Sequence, residues 1–221
     1  MAGSRVGVLF DMDYTLLRGS SGMLYLRYLL RVGYIPWTRW LRILGLVGLY
    51  ALGVWDYPRL MARLMAQAAG TSEAEAWRLS REWHDAMLWR YIAQDARERV
   101  VWHQAQGHHV AIVSGATVYA VQPVAKALGL DSHFLATRLE VVNGHFTGRV
   151  DEPACFGAGK VTMSRAYAAD HGFDLPRSFF YSDSHHDLPL LEAVGHPVAV
   201  NPSRKLAHIA AQRGWPVECF R

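Results

Sequence analysis

The sequence predicts an α/β protein: a doubly wound parallel sheet with a block of helices inserted after its first strand. Three observations predict it. Short apolar runs at 6–10, 109–113, 178–181 and 197–200 end in polar or turn-forming residues, as strands buried on both faces do. Helix-patterned segments alternate with the later runs, the order of crossover units in a parallel sheet. Residues 20–105 lack strand signals and are rich in Leu, Trp, Met, Ala and Arg. The expected division is a core of 1–17 and 106–221 and a helical cap of 18–105. At 221 residues, 51% hydrophobic and 19% charged, the chain can bury a large core.

In chain order, Val6–Phe10 reads as the first strand. The following helical block is broken at Gly33, Pro36, Pro58 and Gly70, and Thr71 is a natural N-cap for a helix beginning near Ala74 and Glu75. His109–Val113 is the next strand, and Ala116–Leu128 a helix closed by Gly129. Phe134–Val142 reads as one strand. Asn143-Gly144 suits a type I′ turn into a second strand at Phe146 and Thr147. Lys160–His171 is a helix stopped by Gly172. Ser178–Tyr181 is a strand, Leu188–Val194 a short helix, and Pro197–Val200 the last strand before Asn201-Pro202.

Composition narrows the function. The net charge of +4 comes from scattered Lys and Arg without a dense basic block, so no nucleic-acid partner is expected. Two cysteines, Cys155 and Cys219, form neither a CxxC pair nor a disulfide framework, and the cytoplasm is the expected compartment. Asp11 and Asp13 interrupt the region where the apolar core of a signal peptide would lie. Ile43–Trp55 is apolar or glycine throughout but shorter than the roughly 20 residues a spanning helix needs. It reads as a buried or interfacial helix, and membrane association is not expected. Trp37, Trp40, Trp55, Trp77, Trp83 and Trp89 in the cap read mainly as core. A monomer or homodimer is expected.

The polar residues sit where the strands end. Asp11 and Asp13 follow the first strand, Ser114 the second, and Asp183 and Asp187 a later one. Lys160 follows Gly157 and Gly159 at the start of a helix. Ligands of open parallel sheets bind beyond these strand ends. Two carboxylates in a row repel and raise one another's pKa, a conflict that a bound Mg²⁺ removes. Taken singly, Ser114 is equally a helix cap, Lys160 a surface lysine, Asp13 and Thr15 turn formers, and Asp183 and Asp187 caps for the next helix.

Together these residues resemble the haloacid dehalogenase superfamily of phosphohydrolases, most closely its phosphoserine-phosphatase-like branch (subfamily IB). Asp11-Met12-Asp13-Tyr14-Thr15-Leu16 matches the first motif, DxDxT[LV]. Val113-Ser114-Gly115 matches the second, Lys160 the third, and Ser182-Asp183 with Asp187 the fourth. Leu135–Glu140 followed by Asn143–Gly148 is also similar to that branch. The resemblance covers about 5–20 and 105–205 and implies a Rossmann-like core with a helical cap inserted between the first two motifs. It implies a phosphatase acting on a small phosphorylated metabolite through an aspartyl-phosphate, with Mg²⁺ as cofactor. Asp11 would be the nucleophile, Asp13 the proton shuttle, and Lys160 the charge partner of Asp11. Asp11, Asp13 (through its carbonyl), Asp183 and Asp187 would serve the metal. Ser114, Gly115 and Thr15, with Ser20 and His186, would line the phosphate and substrate side. An acid at position 13 favours phosphoester hydrolysis, or phosphoryl transfer to an alcohol, over dehalogenation. A non-catalytic membrane-surface or partner-binding protein on the same fold is the alternative outside catalysis.

Two positions depart from the branch. Phosphoserine phosphatases carry a glutamate nine residues after the nucleophile, and here Ser20 stands there. A hydroxyl does not supply that charge pairing with an ammonium group, which disfavours phosphoserine. His186 stands where an asparagine is usual, and with His185 is a candidate contact to substrate or leaving group. Amino-alcohol phosphates such as histidinol phosphate are candidate substrates by resemblance to related enzymes, as is phosphoserine. Arg27, Arg59 and Arg63 are candidate contacts for a second anionic group. His103, His108 and His109 show no metal-ligand spacing.

Overall fold

The structure is a computed structural model that describes residues 5–221, without the side chains of Ala51, Tyr57 and Pro58. Its strands are β1 (Gly7–Phe10), β2 (His109–Thr117), β3 (Phe134–Thr137), β4 (Leu139–Val142), β5 (His145–Val150), β6 (Phe179–Ser182), β7 (His196–Val200) and β8 (Val217–Glu218). Its helices are α1 (Ser21–Arg31), α2 (Trp37–Ala51), α3 (Tyr57–Ala66), α4 (Glu73–Ala86), α5 (Gln94–Ala105), α6 (Val118–Ala127), α7 (Ala158–His171), α8 (Leu188–Leu191) and α9 (Arg204–Arg213).

Six strands form one parallel sheet in the order β3-β2-β1-β6-β7-β8, and β4 pairs with β5 in a separate hairpin. Alternation along β1 feeds both faces of the sheet. Val8 and Phe10 pack with Ile112, Tyr181, Val121 and Val124 on one side. Leu9 packs with Val113, Phe180, Leu190 and Leu206 on the other. All of these are essentially buried. Burying one such side chain stabilises by roughly 1.5–3 kcal/mol, so the central strands are the least negotiable part of the fold.

Helices α1 to α5 lie between β1 and β2 in the chain. The β4–β5 hairpin docks on them. Phe146 donates its N–H to Thr71 O, and Gly70 and Glu73 donate theirs to Phe146 O and Gly144 O. Gly148 approaches α3 so closely that a Cβ would lie 3.1 Å from Ala66 Cα. The Asn143-Gly144 turn has positive φ at both residues, 52° and 75°, as a type I′ turn demands.

Several local expectations change. Phe134–Val142 is two strands: β3 extends the main sheet while β4 leaves it for β5, and a strand-forming pattern does not reveal a change of partner at Arg138. Thr71 is drawn into contact with the hairpin and its hydroxyl donates to Ala68 O, so Ser72 is the N-cap of α4. Of the six cap tryptophans only Trp83 is buried, and Trp37 is 65% exposed. No residue of α2 whose side chain is described is fully buried, so the apolar run is not a buried helix. Among the described residues no helix is long and apolar enough to cross a membrane. Helix α9 and strand β8 extend the pattern past Pro202, where a two-residue strand carries no periodic signal.

Candidate active site

Strand register assembles the site. Phe10 pairs with Ile112 on one side and Tyr181 on the other, so Asp11, Ser114 and Asp183 all emerge at one edge of the sheet. Asp11 N–H donates to Tyr181 O at 2.9 Å, which anchors the strand end. The chain then kinks. Tyr14 takes φ +57°, a left-handed conformation costly for a bulky side chain. It is held there by Asn201 Nδ2, which donates to Tyr14 O at 3.2 Å, and by Tyr14 N–H to Gly19 O. The kink redirects the chain between Asp13 and the start of α1. Ser21 donates to Asp13 twice, from N–H to Oδ1 at 3.0 Å and from its hydroxyl to Oδ2 at 3.1 Å.

Lys160 is 2% exposed and joins two acids. Its Nζ lies 2.6 Å from Asp11 Oδ1 and 2.7 Å from Asp187 Oδ2. Asp187 Oδ2 also accepts the Ser182 hydroxyl at 2.7 Å. The two glycines before Lys160 have separate reasons. Gly157 takes a positive φ as the cap of α7, while a Cβ on Gly159 would strike Ala154 O at 1.9 Å. Glycine at both positions lets α7 begin close enough for Lys160 to reach Asp11.

Ser114 is buried, and its Oγ accepts Ala116 N–H at 3.2 Å, which leaves its hydroxyl proton to donate elsewhere. Gly115 O accepts the Thr137 hydroxyl at 2.9 Å. The pairing of β2 with β3 shifts register between Ser114 and Thr117, a bulge of the kind that re-aims residues at strand ends. Ser20 caps α1, accepting Met23 N–H at 3.5 Å, and also hydrogen-bonds Asp13. Thr15 is fully buried and its Oγ1 lacks a hydrogen-bond partner among the described residues. His186 lies 3.2 Å from the Tyr50 hydroxyl, which brings α2 to the loop after β6. Arg27 is exposed and near enough to act on the Tyr14 phenol, whereas Arg59 and Arg63 are simply exposed. A cavity of about 400 Å³ adjoins Asp183, lined by Tyr14, Arg18, Asn201, Ser203 and Phe220.

The electrostatics are those of a site short of positive charge. Burial, then repulsion from Asp187 and Asp183 against the pull of Lys160, holds the Asp11 carboxyl well above the ordinary range. Burial also raises Asp13, against its bonds from Ser21. Burial and then Asp187 push Asp183 up to about 7. Burial opposes the charge of Lys160, but Asp11 and Asp187 outweigh it and hold the ammonium firmly protonated. Four carboxylates thus share one lysine. This set of hard oxygens with excess negative charge fits a divalent cation such as Mg²⁺.

Ser21 carries no signal in the sequence, and the roles of Ser182 and Cys155 emerge only in the folded site. The two serines orient Asp13 and Asp187, and the spacing of Ser21 gives no sign of this. Cys155 is buried beside Lys160 and against the Ser114 amide, and burial pushes its thiol up to about 12, so it is an inert packing group.

A parallel α/β core that gathers paired acids, a hydroxyl and a buried lysine at its strand ends defines a phosphomonoester hydrolase. The chain belongs to the haloacid dehalogenase-like hydrolase family, whose pattern matches residues 8–192. It is 33% identical over 220 residues to a probable phosphatase of Mycobacterium tuberculosis (strain ATCC 25618 / H37Rv), covering 98% of this chain and 76% of that protein. It is 29% identical over 224 residues to a histidinol-phosphatase of Neisseria meningitidis serogroup C, covering 96% of this chain and 98% of that one. A solved structure of a Bordetella pertussis Tohama I protein of unknown function superposes with a TM-score of 0.90 at 33% identity, covering 97% and 98% of the two chains.

Proposed function

We propose that the chain is a Mg²⁺-dependent phosphatase that hydrolyses a small phosphomonoester through an aspartyl-phosphate on Asp11. The observation that carries this reading is the Lys160 ammonium 2.6 Å from Asp11 Oδ1, which fixes the carboxylate at the strand end. Asp11 Oδ2 is then the atom assigned to attack phosphorus. As the Oδ2–P bond forms, the ester P–O bond breaks, and Asp13 gives its proton to the leaving alkoxide. Water then attacks phosphorus and passes a proton to Asp13, which releases phosphate and restores Asp11. The raised pKa of Asp13 suits a carboxyl that must hold a proton near neutrality. The Ser114 hydroxyl and the Gly115 N–H would bind phosphoryl oxygens, and Lys160 would offset their charge.

Asp11, Asp183 and the Asp13 carbonyl would hold Mg²⁺, with Asp187 orienting the site through Lys160 and Ser182. Bound there, the cation neutralises the repulsion between a carboxylate nucleophile and a phosphate dianion. Its fit has a metal-free test. Asp183 has its folded-state pKa raised from 3.8 to about 7, so the folded chain holds a proton that the unfolded chain releases. The stability cost of ionised Asp183 therefore grows as pH rises from about 4 to about 7, and is complete above that. With chelator at about pH 8, Asp183→Asn is expected to unfold a few degrees above wild type, with the gap narrowing below about pH 7 and closing near about pH 4. Saturating Mg²⁺ should reverse the order. Calorimetry showing the variant less stable than wild type at pH 8 without metal would refute this.

The substrate class follows from relatives with narrower names. One, 33% identical, is a phosphoserine phosphatase of Mycobacterium tuberculosis, and another is the histidinol-phosphatase above. A phosphate ester of an amino alcohol is the shared chemistry. Ser20 is occupied as a cap and as a partner of Asp13, and it supplies no carboxylate for an ammonium group. Tyr50 and His186 place aromatic rings where the cap meets the core, which favours a histidinol-phosphate-like leaving group over phosphoserine. Phosphate release from p-nitrophenyl phosphate, histidinol phosphate and phosphoserine tests this. Expected is Mg²⁺-dependent turnover of the first two and a lower kcat/KM for the third. Absence of turnover with all three, or equal turnover in chelator, would reject the reading.

A further inference from the structure

A second polar cluster lies at the opposite edge of the sheet from the aspartates. His109 opens β2, His133 immediately precedes β3, and His171 closes α7. One nitrogen from each of these rings lies within 4.8 Å of the other two. Ring centroids are 4.7 Å apart for His109 with His133, 4.7 Å for His109 with His171, and 5.8 Å for His133 with His171. They line a cavity of about 350 Å³ together with Arg5, Gln104 and His108. These positions are widely separated in sequence, and only the fold brings them together.

The partners around the rings resemble the supports of metal-binding imidazoles. His171 Nδ1 lies 2.9 Å from the carbonyl of Tyr167, so it carries the proton and Nε2 carries the lone pair. The Tyr167 hydroxyl lies 2.9 Å from His109 Nε2 and 3.1 Å from His133 Nδ1, and so holds both rings in place. No carboxylate or thiolate belongs to this group of three. An all-imidazole set prefers a borderline transition metal to Mg²⁺.

We propose that His109, His133 and His171 form a site for a first-row divalent transition metal, with Zn²⁺ the best match, separate from the catalytic carboxylates. Tetrahedral ligation with Zn–N bonds of about 2.1 Å places ligand nitrogens about 3.4 Å apart, so nitrogens that now lie within 4.8 Å close by up to about 1.4 Å on binding. A cavity of this size leaves room for water or an anion as fourth ligand, and Arg5 on its wall favours an anion there. The bound ion ties the start of β2 to the end of α7. The other ends of these same two elements carry Ser114 and Lys160, so the site braces the scaffold of the catalytic groups from behind.

The whole chain, stripped by chelator and then saturated with Mg²⁺ to fill the carboxylate site, is titrated with Zn²⁺. One equivalent is expected to bind, to raise the unfolding temperature, and to perturb the ring C–H signals of three of the 11 histidines. His171→Ala is expected to weaken uptake at least a hundredfold and to remove the thermal shift. Uptake unchanged in His171→Ala overturns the proposal, as does no uptake by wild type or perturbation of other histidines only. Perturbation of these rings by inorganic phosphate and not by Zn²⁺ overturns it in favour of an anion site. If His171→Ala does not fold, the wild-type histidine signals decide alone.

Discussion

Asp11→Asn is expected to reduce phosphatase turnover by about 10⁴-fold or more while leaving the protein folded. The carboxylate is assigned as the nucleophile, and an amide of the same shape neither attacks phosphorus at a useful rate nor forms the acyl phosphate. Stability should move the other way. Asp11 is buried, and its carboxyl is held well above the ordinary range by burial and by repulsion from Asp187 and Asp183. Removing one of these anions eases that repulsion, but it also removes an ion-pair partner of Lys160. The lysine keeps Asp187 at 2.7 Å, so its charge stays paired. The expected outcome is an inactive variant whose metal-free unfolding temperature equals or exceeds that of wild type. Steady-state turnover within tenfold of wild type would remove Asp11 from the nucleophile role. Loss of activity together with loss of fold would make the effect structural, and calorimetry on the same sample separates the two.

Lys160→Ala is expected to have the largest effect on stability, about 3–5 kcal/mol for the metal-free protein at about pH 8. The side chain is buried and pairs with both Asp11 and Asp187, so truncation leaves two buried carboxylates without their cation. The loss should shrink on acidification, because Asp11 is already raised and Asp183 titrates near 7, and protonation then replaces the missing charge. Mg²⁺ should restore part of the stability for the same reason. Turnover should fall by about 10²–10³-fold even where the fold is rescued, since the developing phosphoryl charge loses a fixed donor. Denaturant titrations at both pH values check the stability arm. A loss below about 1 kcal/mol with no pH dependence would mean that Lys160 is solvated and does not organise the acids.

Much of the site was legible because its residues follow strands whose apolar runs are themselves legible. Asp11, Ser114 and Asp183 each terminate such a run, and Gly157 and Gly159 announce the tight approach of the helix bearing Lys160. The supports were not legible. Ser21 donates to Asp13 across the turn that the Tyr14 kink shapes, and Ser182, though part of the fourth motif, shows its role as donor to Asp187 only in the folded loop. The cap was the least legible part. Trp37, Trp40, Trp55, Trp77 and Trp89 occur at helical spacing, yet none is fully buried, because spacing defines a face and not what covers it.

The parallel α/β core, the helical insertion after β1 and the acids, hydroxyl and lysine at the strand ends can all be read along the chain. Each is encoded locally, as an apolar run, a break in periodicity or a polar residue at a run's end. Folding is what brings Lys160 between Asp11 and Asp187, Tyr50 of α2 to His186, and His109, His133 and His171 to one cavity. These contacts join residues 24 to 149 positions apart, and their geometry is set by strand register and helix docking, which no local pattern of residues contains.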